Sequence, residues 1–417
     1  MSFDAIKHRI FTLIIPVCVF STLSASTSIG SRRGVLRSAD RITKLRQNTQ
    51  QLKDPTQQMQ KNKQLTTTMS IQNNNMTMQS LGPTPAQGAH VLPTPKTSTK
   101  YYEMNVAFTE PQQQTLSFEN ETSKTAADQR LLRNVINEKI RNEEFFYGIE
   151  ILARTYNPNV LLDYNALGPL LPLFTSIVWL GMDYCNIENL HEIEAIRLAH
   201  KLNRHVRVMP HLSCYCLTEQ RLREFLQMDF SNVLSIRGDY FDKDQQYQHS
   251  SELVEAIRRI RGDSISIGVA GYPEGHPECK SMDEDIGNLE KKVQAGADFI
   301  ITQICFSSQP IIDFIKKCRR RNIKIPILVG IFVPDNLRML EAILRITKIQ
   351  MSTGDLEEYR RQNDLGEGQF KEYAVKKGVE MIDAVLSSDE VDVYGLQFFT
   401  MNRFQNIPLV LEKIRKK

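Results

Sequence analysis

From residue 126 onward the chain is dominated by short apolar runs that alternate with amphipathic segments. Short runs with little polar interruption are typical of parallel strands covered on both faces. The runs span residues 145–152, 176–180, 206–209, 233–236, 264–269, 299–304, 327–332 and 394–399. Eight β and α units of similar size predict a (β/α)8 TIM barrel over residues 126–417. An open, doubly wound sheet is the alternative.

The segments between the runs have the periodicity of helices. Leu253, Val254 and Ile257 fall on one helical face, and Gly262 follows as a stop signal. Pro310 stands where the first turn of a helix tolerates proline. A helix that starts near Ala127 is predicted before the first apolar run. These patterns support alternation of strands and helices.

Residues 1–125 have a different composition. The stretch from about residue 47 is rich in Gln, Asn, Thr and Ser and poor in branched apolar residues. Such a segment buries too little apolar surface to offset the entropy of ordering, so we predict a disordered extension. The apolar run 10–20 resembles a secretory signal, whereas the arginines at 32–46 resemble a mitochondrial presequence. A cytoplasmic location is expected, with mitochondrial or secretory targeting as the alternative.

Charge and cysteine content exclude several classes of protein. A net charge of +4 over 417 residues does not favour nucleic-acid binding. The N-terminal apolar run is too short to span a bilayer comfortably, so no membrane partner is predicted.

The seven cysteines are odd in number and scattered, which predicts free thiols in a reducing compartment. No zinc site is expected, and the possibility of a homo-oligomer stays open.

Polar residues stand where the predicted strands end. In a barrel the carboxyl ends of all strands meet at one mouth, so these residues are candidates for a common site. They are Glu150, His211, Arg237, Asp239, Gln303 and the segment 397–403. The segment 268–278 adds three glycines, two prolines, a tyrosine, a histidine and two glutamates after the fifth strand. Each residue has a structural explanation alone, but their clustering at one mouth favours a functional site.

Several chemistries have no sequence signature here. We find no serine or cysteine nucleophile in a base-paired motif, no metal-ligand spacing, no Walker loop and no G-x-G-x-x-G. Any nucleotide cofactor must therefore be held by an arrangement specific to the barrel.

Residues 142–417 resemble methylenetetrahydrofolate reductase, an FAD-dependent family of one-carbon metabolism. Five stretches carry the resemblance in the family's order, and they are 211–214, 234–239, 270–278, 296–303 and 399–403. Only the catalytic, flavin-binding barrel of that family is covered. The resemblance implies reduction of 5,10-methylenetetrahydrofolate to 5-methyltetrahydrofolate with FAD and NAD(P)H, which supplies methyl groups for methionine synthesis.

The resemblance also implies roles for individual residues. Glu150 matches the general acid, and Asp239 matches a residue that stabilises the substrate cation and contacts flavin. The other flavin-binding positions correspond to Trp179, His211, Arg237, Gly238, Ala270, Tyr272, His276, Asp285 and Lys292. The folate-binding positions correspond to Gln303, Phe399 and Arg403. Burial of Glu150 among apolar neighbours would raise its pKa, as a proton donor near neutral pH requires.

The chain departs from the family pattern at several ligand-contacting positions. Ile151 and its neighbours replace aromatic residues and prolines, Val178 replaces a threonine, and Phe399 replaces a tyrosine. His249 and Leu337 replace a tyrosine and a stacking aromatic residue. Two alternatives follow, namely a weakly active or inactive flavin-binding paralogue and a flavin-free barrel enzyme with a pterin-like or phosphorylated substrate.

Overall fold

The fold is a closed barrel of eight parallel strands. The computed structural model describes residues 116–117, 130–153, 162–179, 185, 187–238 and 240–415. The eight strands pair in the order in which they follow one another along the chain, and the last strand closes the barrel by pairing with the first. The predicted (β/α)8 barrel is thereby confirmed, and the open doubly wound sheet is excluded.

All eight predicted strands are present. The barrel strands are β2 (Phe146–Leu152), β4 (Phe174–Val178), β5 (Val208–Ser213), β6 (Asn232–Ile236), β7 (Ser266–Gly271), β8 (Phe299–Thr302), β9 (Ile327–Ile331) and β10 (Gly395–Phe399). Some bounds differ from prediction. The fifth barrel strand continues to Gly271, because Ala270 and Gly271 pair in register with Ile301 and Thr302. The first four residues of segment 268–278 are thus strand and not loop.

Helices follow the strands and form the outer layer. They are α1 (Leu132–Arg141), α2 (Glu194–Leu202), α3 (Glu219–Gln227), α4 (Ser250–Arg261), α5 (Met282–Gln294), α6 (Ser308–Arg320), α7 (Leu337–Thr347), α8 (Thr353–Asp364), α9 (Glu367–Leu386) and α10 (Asn406–Arg415). Between β9 and β10 the described chain holds α7, α8 and α9, so this unit is larger than the others. No helix in the described part of the chain has the length and apolarity needed to cross a membrane.

A short strand pair lies outside the barrel. Strand β1 (Leu116–Ser117) runs parallel to β3 (Leu162–Asp163). Strand β1 falls within residues 1–125, which the sequence predicts to be disordered. The remainder of that segment, with its targeting signals, lies outside the described residues.

Helix α1 closes the amino-terminal end of the barrel. Leu132 and Ile136 are fully buried in the interior cluster, together with Phe146, Phe174 and Phe299. The backbone amide of Leu132 donates to Asn232 Oδ1 at 2.9 Å, which anchors the helix to β6. Because this end is filled, a ligand can reach the interior only at the carboxyl ends of the strands.

The prediction of free thiols is wrong for two of the cysteines. Cys185 and Cys216 form a disulfide with a Cα–Cα distance of 5.6 Å. They follow β4 and β5, which are neighbours in the barrel, so the fold brings together residues 31 positions apart. Cys214, Cys279, Cys305 and Cys318 are free thiols, as predicted.

Candidate active site

Glu150 is the most unusual carboxyl group at the barrel mouth. It lies in β2, where Phe146, Gly148 and Glu150 alternate with residues that face the helices. Its side chain is 3% exposed. Burial raises the pKa of Glu150 from 4.5 to about 8, because the charged form loses its hydration. The carboxyl group therefore keeps its proton at neutral pH.

His211 is the titratable neighbour of Glu150 within the described residues. It lies inside β5, and its Nε2 is 3.7 Å from Glu150 Oε2. Burial lowers the pKa of His211 from 6.5 to about 3, so the imidazole is neutral. Within the described part of the chain, neither ring nitrogen has a hydrogen-bond partner. The pair consists of a neutral acid beside a neutral base, both shielded from water.

The loop after β7 contains a second group of candidates. His276 contacts Tyr272 edge to face, with ring centroids 4.7 Å apart. The backbone amide of His276 donates to Asp285 Oδ2 at 3.1 Å, at the start of α5. Lys292 Nζ donates to the carbonyl of Ala270 at 2.9 Å and lies 5.8 Å from the Tyr272 ring. The structure thus brings together five of the predicted flavin-binding residues.

Arg237 joins this group from the neighbouring strand end. Its Nη1 lies 2.6 Å from Glu278 Oε2, so the ion pair connects the loops after β6 and β7. Gly238 has a φ of +90°, and a Cβ there would lie 2.2 Å from Ser213 Oγ. Only glycine allows this close approach between the segment after β6 and the end of β5. Asp239 lies outside the described residues.

Two predicted folate-binding residues line or border the mouth. Gln303 directly follows β8, is 7% exposed and lines a pocket with Tyr272, Pro273 and Lys348. Phe399 ends β10 and is the register partner of Glu150. These two positions surround the region between the acid and the β7 loop.

Arg403 is more exposed than the other candidates. Its guanidinium Nη1 lies 3.7 Å from Asp335 Oδ2, and 43% of the side chain is accessible. Burial raises the pKa of Asp335, and the charge of Arg403 opposes that rise. A half-accessible guanidinium with one carboxylate neighbour among the described residues can still bind an anionic ligand group.

Trp179 is placed apart from the cluster around Glu150. It is 2% exposed, belongs to the core between barrel and helices, and its ring lies 5.7 Å from that of Phe225 in α3. Trp179 follows Val178 by one residue at the end of β4, and alternation along the strand points the two side chains to opposite faces. The structure does not bring Trp179 together with the inward-facing candidates.

The sequence alone did not identify four polar side chains that contact the candidates. They are Glu278, Asp335, Thr400 and Asn402. Glu278, Thr400 and Asn402 stand in segments that the sequence singled out, but no spacing indicates that Glu278 pairs with Arg237. Such long-range partners become visible only when the strand ends meet.

Comparison with known proteins decides the family. The family model described as methylenetetrahydrofolate reductase matches residues 135–415, which is nearly the whole described barrel. The chain belongs to the methylenetetrahydrofolate reductase family. The resemblance inferred from the five stretches of sequence is confirmed.

Curated relatives of low sequence identity are also named methylenetetrahydrofolate reductases. The chain is 26% identical over 299 residues to a probable methylenetetrahydrofolate reductase (NADPH) of Caenorhabditis elegans, covering 68% of this chain and 44% of that protein. It is 30% identical over 198 residues to a 5,10-methylenetetrahydrofolate reductase of Buchnera aphidicola, and the match covers 46% of this chain and 66% of that protein. It is 29% identical over 222 residues to methylenetetrahydrofolate reductase (NADH) 1 of Arabidopsis thaliana, and the match covers 47% of this chain and 36% of that protein. The chain spans less than half the length of its nematode and plant relatives.

Proposed function

We propose that the protein reduces 5,10-methylenetetrahydrofolate to 5-methyltetrahydrofolate, with FAD as cofactor and NAD(P)H as reductant. This reaction belongs to one-carbon metabolism and supplies methyl groups for methionine synthesis. The observation that carries the proposal is Glu150, a carboxyl group kept protonated by burial at the mouth of a barrel of this family. A folate ring-opening step needs such a proton donor at neutral pH.

The residues around the mouth fit a flavin nucleotide. His211 has two buried ring nitrogens that lack a protein partner among the described residues. Arg237 and Lys292 supply positive charge for a diphosphate, and guanidinium and ammonium groups are the usual partners of phosphate oxygens. When bound, FAD would accept a hydride from the nicotinamide and deliver it to the folate. Gly238, Ala270, Tyr272, His276 and Asp285 complete the proposed binding residues.

Glu150 would supply the proton that opens the five-membered ring of the substrate. Its proton moves to the bridging nitrogen on the aminobenzoyl side, and the bond between that nitrogen and the methylene carbon breaks. The electron pair of the bond stays on the nitrogen, which leaves an iminium cation at the other nitrogen. Hydride addition to the methylene carbon then completes the methyl group. The proposed role of Asp239, stabilisation of that cation, stays a prediction.

Gln303, Phe399 and Arg403 would bind the folate. The amide of Gln303 can hydrogen-bond a pterin edge, and Phe399 is the register partner of the acid on the neighbouring strand. Arg403 can pair with the glutamate carboxylate of the folate, because its guanidinium is accessible. Both NADPH and NADH occur in the names of relatives, so either nucleotide is a candidate reductant.

The experiment separates flavin binding from folate reduction. The purified full chain is incubated with FAD, its absorption spectrum is recorded, and NADPH or NADH is added without oxygen. Methylenetetrahydrofolate should then reoxidise the bleached flavin and yield 5-methyltetrahydrofolate, whereas tetrahydrofolate, which lacks the methylene bridge, should not. A colourless protein after incubation would exclude the flavin assignment. A flavin that NAD(P)H reduces but methylenetetrahydrofolate leaves reduced would exclude the reaction.

A further inference from the structure

The strand that carries Glu150 extends beyond its neighbour. Register pairs Phe399 of β10 with Glu150 of β2, and β10 ends at Phe399. Strand β2 continues for two residues, to Leu152. In an extended strand the N–H and C=O groups of alternate residues face the same side, so Glu150 and Leu152 both face β10. Without further contacts, these backbone groups would lose their partners where β10 ends.

Side chains from the segment after β10 replace the missing partners. Thr400 Oγ1 donates to the carbonyl of Glu150 at 2.6 Å. The Asn402 amide makes two bonds to Leu152, accepting from its N–H at 2.7 Å and donating to its C=O at 2.9 Å. Thr400 Oγ1 also accepts from the backbone N–H of Asn402 at 3.0 Å, which connects the two side chains. Both are buried.

The backbone of this segment adopts an uncommon conformation. Met401 and Asn402 have φ angles of 49° and 61°, in the left-handed region that side-chain-bearing residues rarely occupy. Such residues persist when the surrounding contacts determine them. Here two consecutive left-handed residues turn the chain so that the Asn402 amide faces the end of β2.

We propose that Thr400 and Asn402 are positioning residues for the acid: their side chains extend the β2 ladder past the end of β10 and fix the backbone from which the Glu150 carboxyl projects. This inference rests on the proposed function. It concerns the strand end that orients the acid, and it assigns no contact between Thr400 or Asn402 and the folate.

Fixing the strand end affects the acid in two ways. A displacement of about 1 Å at a reacting group can reduce a rate by roughly a hundredfold. A frayed strand end would also admit water to the carboxyl group, whose proton affinity depends on its burial. His211 is the titratable group that contacts Glu150 in the described part of the chain, and it is neutral, so it does not offset this effect.

Three substitutions test the proposal. Thr400→Val keeps the shape and removes the hydroxyl, whereas Thr400→Ser keeps the hydroxyl and is the matched control. Asn402→Gly preserves access to the left-handed backbone but removes the amide. Glu150 is titrated in each protein without ligands by difference infrared spectroscopy, with Glu150→Gln identifying its band. Rates of flavin reduction by NAD(P)H and of reoxidation by methylenetetrahydrofolate are measured separately.

We expect Thr400→Val and Asn402→Gly to slow reoxidation by roughly tenfold to a hundredfold, with little change in flavin reduction. The pKa of Glu150 should fall from about 8 toward 4.5 in both variants and stay near 8 in Thr400→Ser. Unchanged reoxidation and an unchanged titration in Thr400→Val would overturn the proposal. So would equal losses in both half-reactions, which indicate general damage. If Asn402→Gly does not fold, the comparison of Thr400→Val with Thr400→Ser still tests the proposal.

The proposed function can fail independently. If methylenetetrahydrofolate does not reoxidise the flavin of the unmodified protein, the reaction assignment is wrong, but the infrared titration still shows whether Thr400 and Asn402 control the environment of Glu150. If the unmodified protein is active and its variants match it in both measurements, only the positioning proposal is wrong.

Discussion

Two regions of the barrel mouth differ in the groups that surround their ionisable side chains. Glu150 at the end of β2 and its neighbour His211 are buried, neither has an oppositely charged partner within the described residues, and burial keeps both in their neutral forms. After β6 and β7, Arg237 pairs with Glu278, and on α5 Lys292 lies near Asp285 and donates to a carbonyl. The first region retains a proton, whereas in the second the opposite charges of Lys292 and Asp285 counteract burial, which lowers the pKa of Lys292 and raises that of Asp285.

The two regions differ because different interactions replace the hydration that a charged group loses on burial. A buried carboxyl with no cation nearby avoids ionisation, because no interaction replaces the lost hydration. Paired and hydrogen-bonded ions keep their charge even when partly buried. The first arrangement suits a proton donor, and the second suits binding of an anionic nucleotide. Four predictions test this contrast, in order of decreasing effect.

Glu150→Gln should cause the largest loss. An amide of the same shape cannot donate the required proton, so reoxidation of the reduced flavin by methylenetetrahydrofolate should slow by roughly 10²–10⁴-fold. Flavin affinity and reduction by NAD(P)H should change little. Rapid-mixing absorbance at the flavin band measures both steps. Equal folate-driven rates in the variant and the unmodified protein would exclude Glu150 as the acid.

The same substitution should change how stability depends on pH. The pKa of Glu150 is about 8 in the folded state and 4.5 in the unfolded chain. The contribution of protonated Glu150 to the free energy of unfolding is therefore fully present below pH 4.5 and is lost as the pH rises toward 8. Relative to the unmodified protein, the free energy of unfolding of Glu150→Gln should rise by about 4 kcal/mol between pH 4.5 and 8. Denaturant unfolding at several pH values measures this, and a constant difference would contradict burial of the acid.

Lys292→Met should weaken flavin binding. The change removes a buried positive charge beside Tyr272 and Asp285, and we expect roughly tenfold lower affinity, equivalent to about 1.4 kcal/mol. Fluorescence titration with FAD measures the dissociation constant. Lys291→Met is the matched control, since Lys291 is on the same helix but exposed and bonded to Asn288. Equal effects of both substitutions would show that only overall charge matters.

Glu278→Gln should have the smallest effect. Its carboxylate pairs with Arg237, but 45% of the Glu278 side chain is accessible to solvent. Exposed ion pairs of this kind contribute ~0.2–1 kcal/mol to the free energy of unfolding, and salt screens them. Urea unfolding at low and high salt should therefore show a small loss that shrinks at high salt. A loss well above ~1 kcal/mol that high salt does not reduce would mean that the pair is structural.

Much of the site was predictable because it depends on local signals. Strand ends carry the functional residues of a barrel, so Glu150, His211, Arg237 and Gln303 could be selected as polar residues near the ends of apolar runs or just after them. Trp179 does not lie with the inward-facing candidates. Consecutive residues at the end of β4 point to opposite faces, and Trp179 packs in the core between the barrel and the helices.

Long-range partners could not be predicted in the same way. The Arg237–Glu278 pair spans 41 positions, the Cys185–Cys216 disulfide spans 31, and the bonds from Asn402 to Leu152 span 250. Each depends on which strands become neighbours and on how far each strand extends. No periodicity or composition encodes those details.

The amino-acid sequence by itself determined the alternation of strands and helices, the closed parallel barrel and the family, because apolar periodicity and short motifs are local properties. The tertiary structure alone decided that Glu150 is buried beside a neutral histidine, which cysteines pair, and which side chains complete the end of β2. These features depend on desolvation and on contacts between distant segments, and both exist only once the barrel closes.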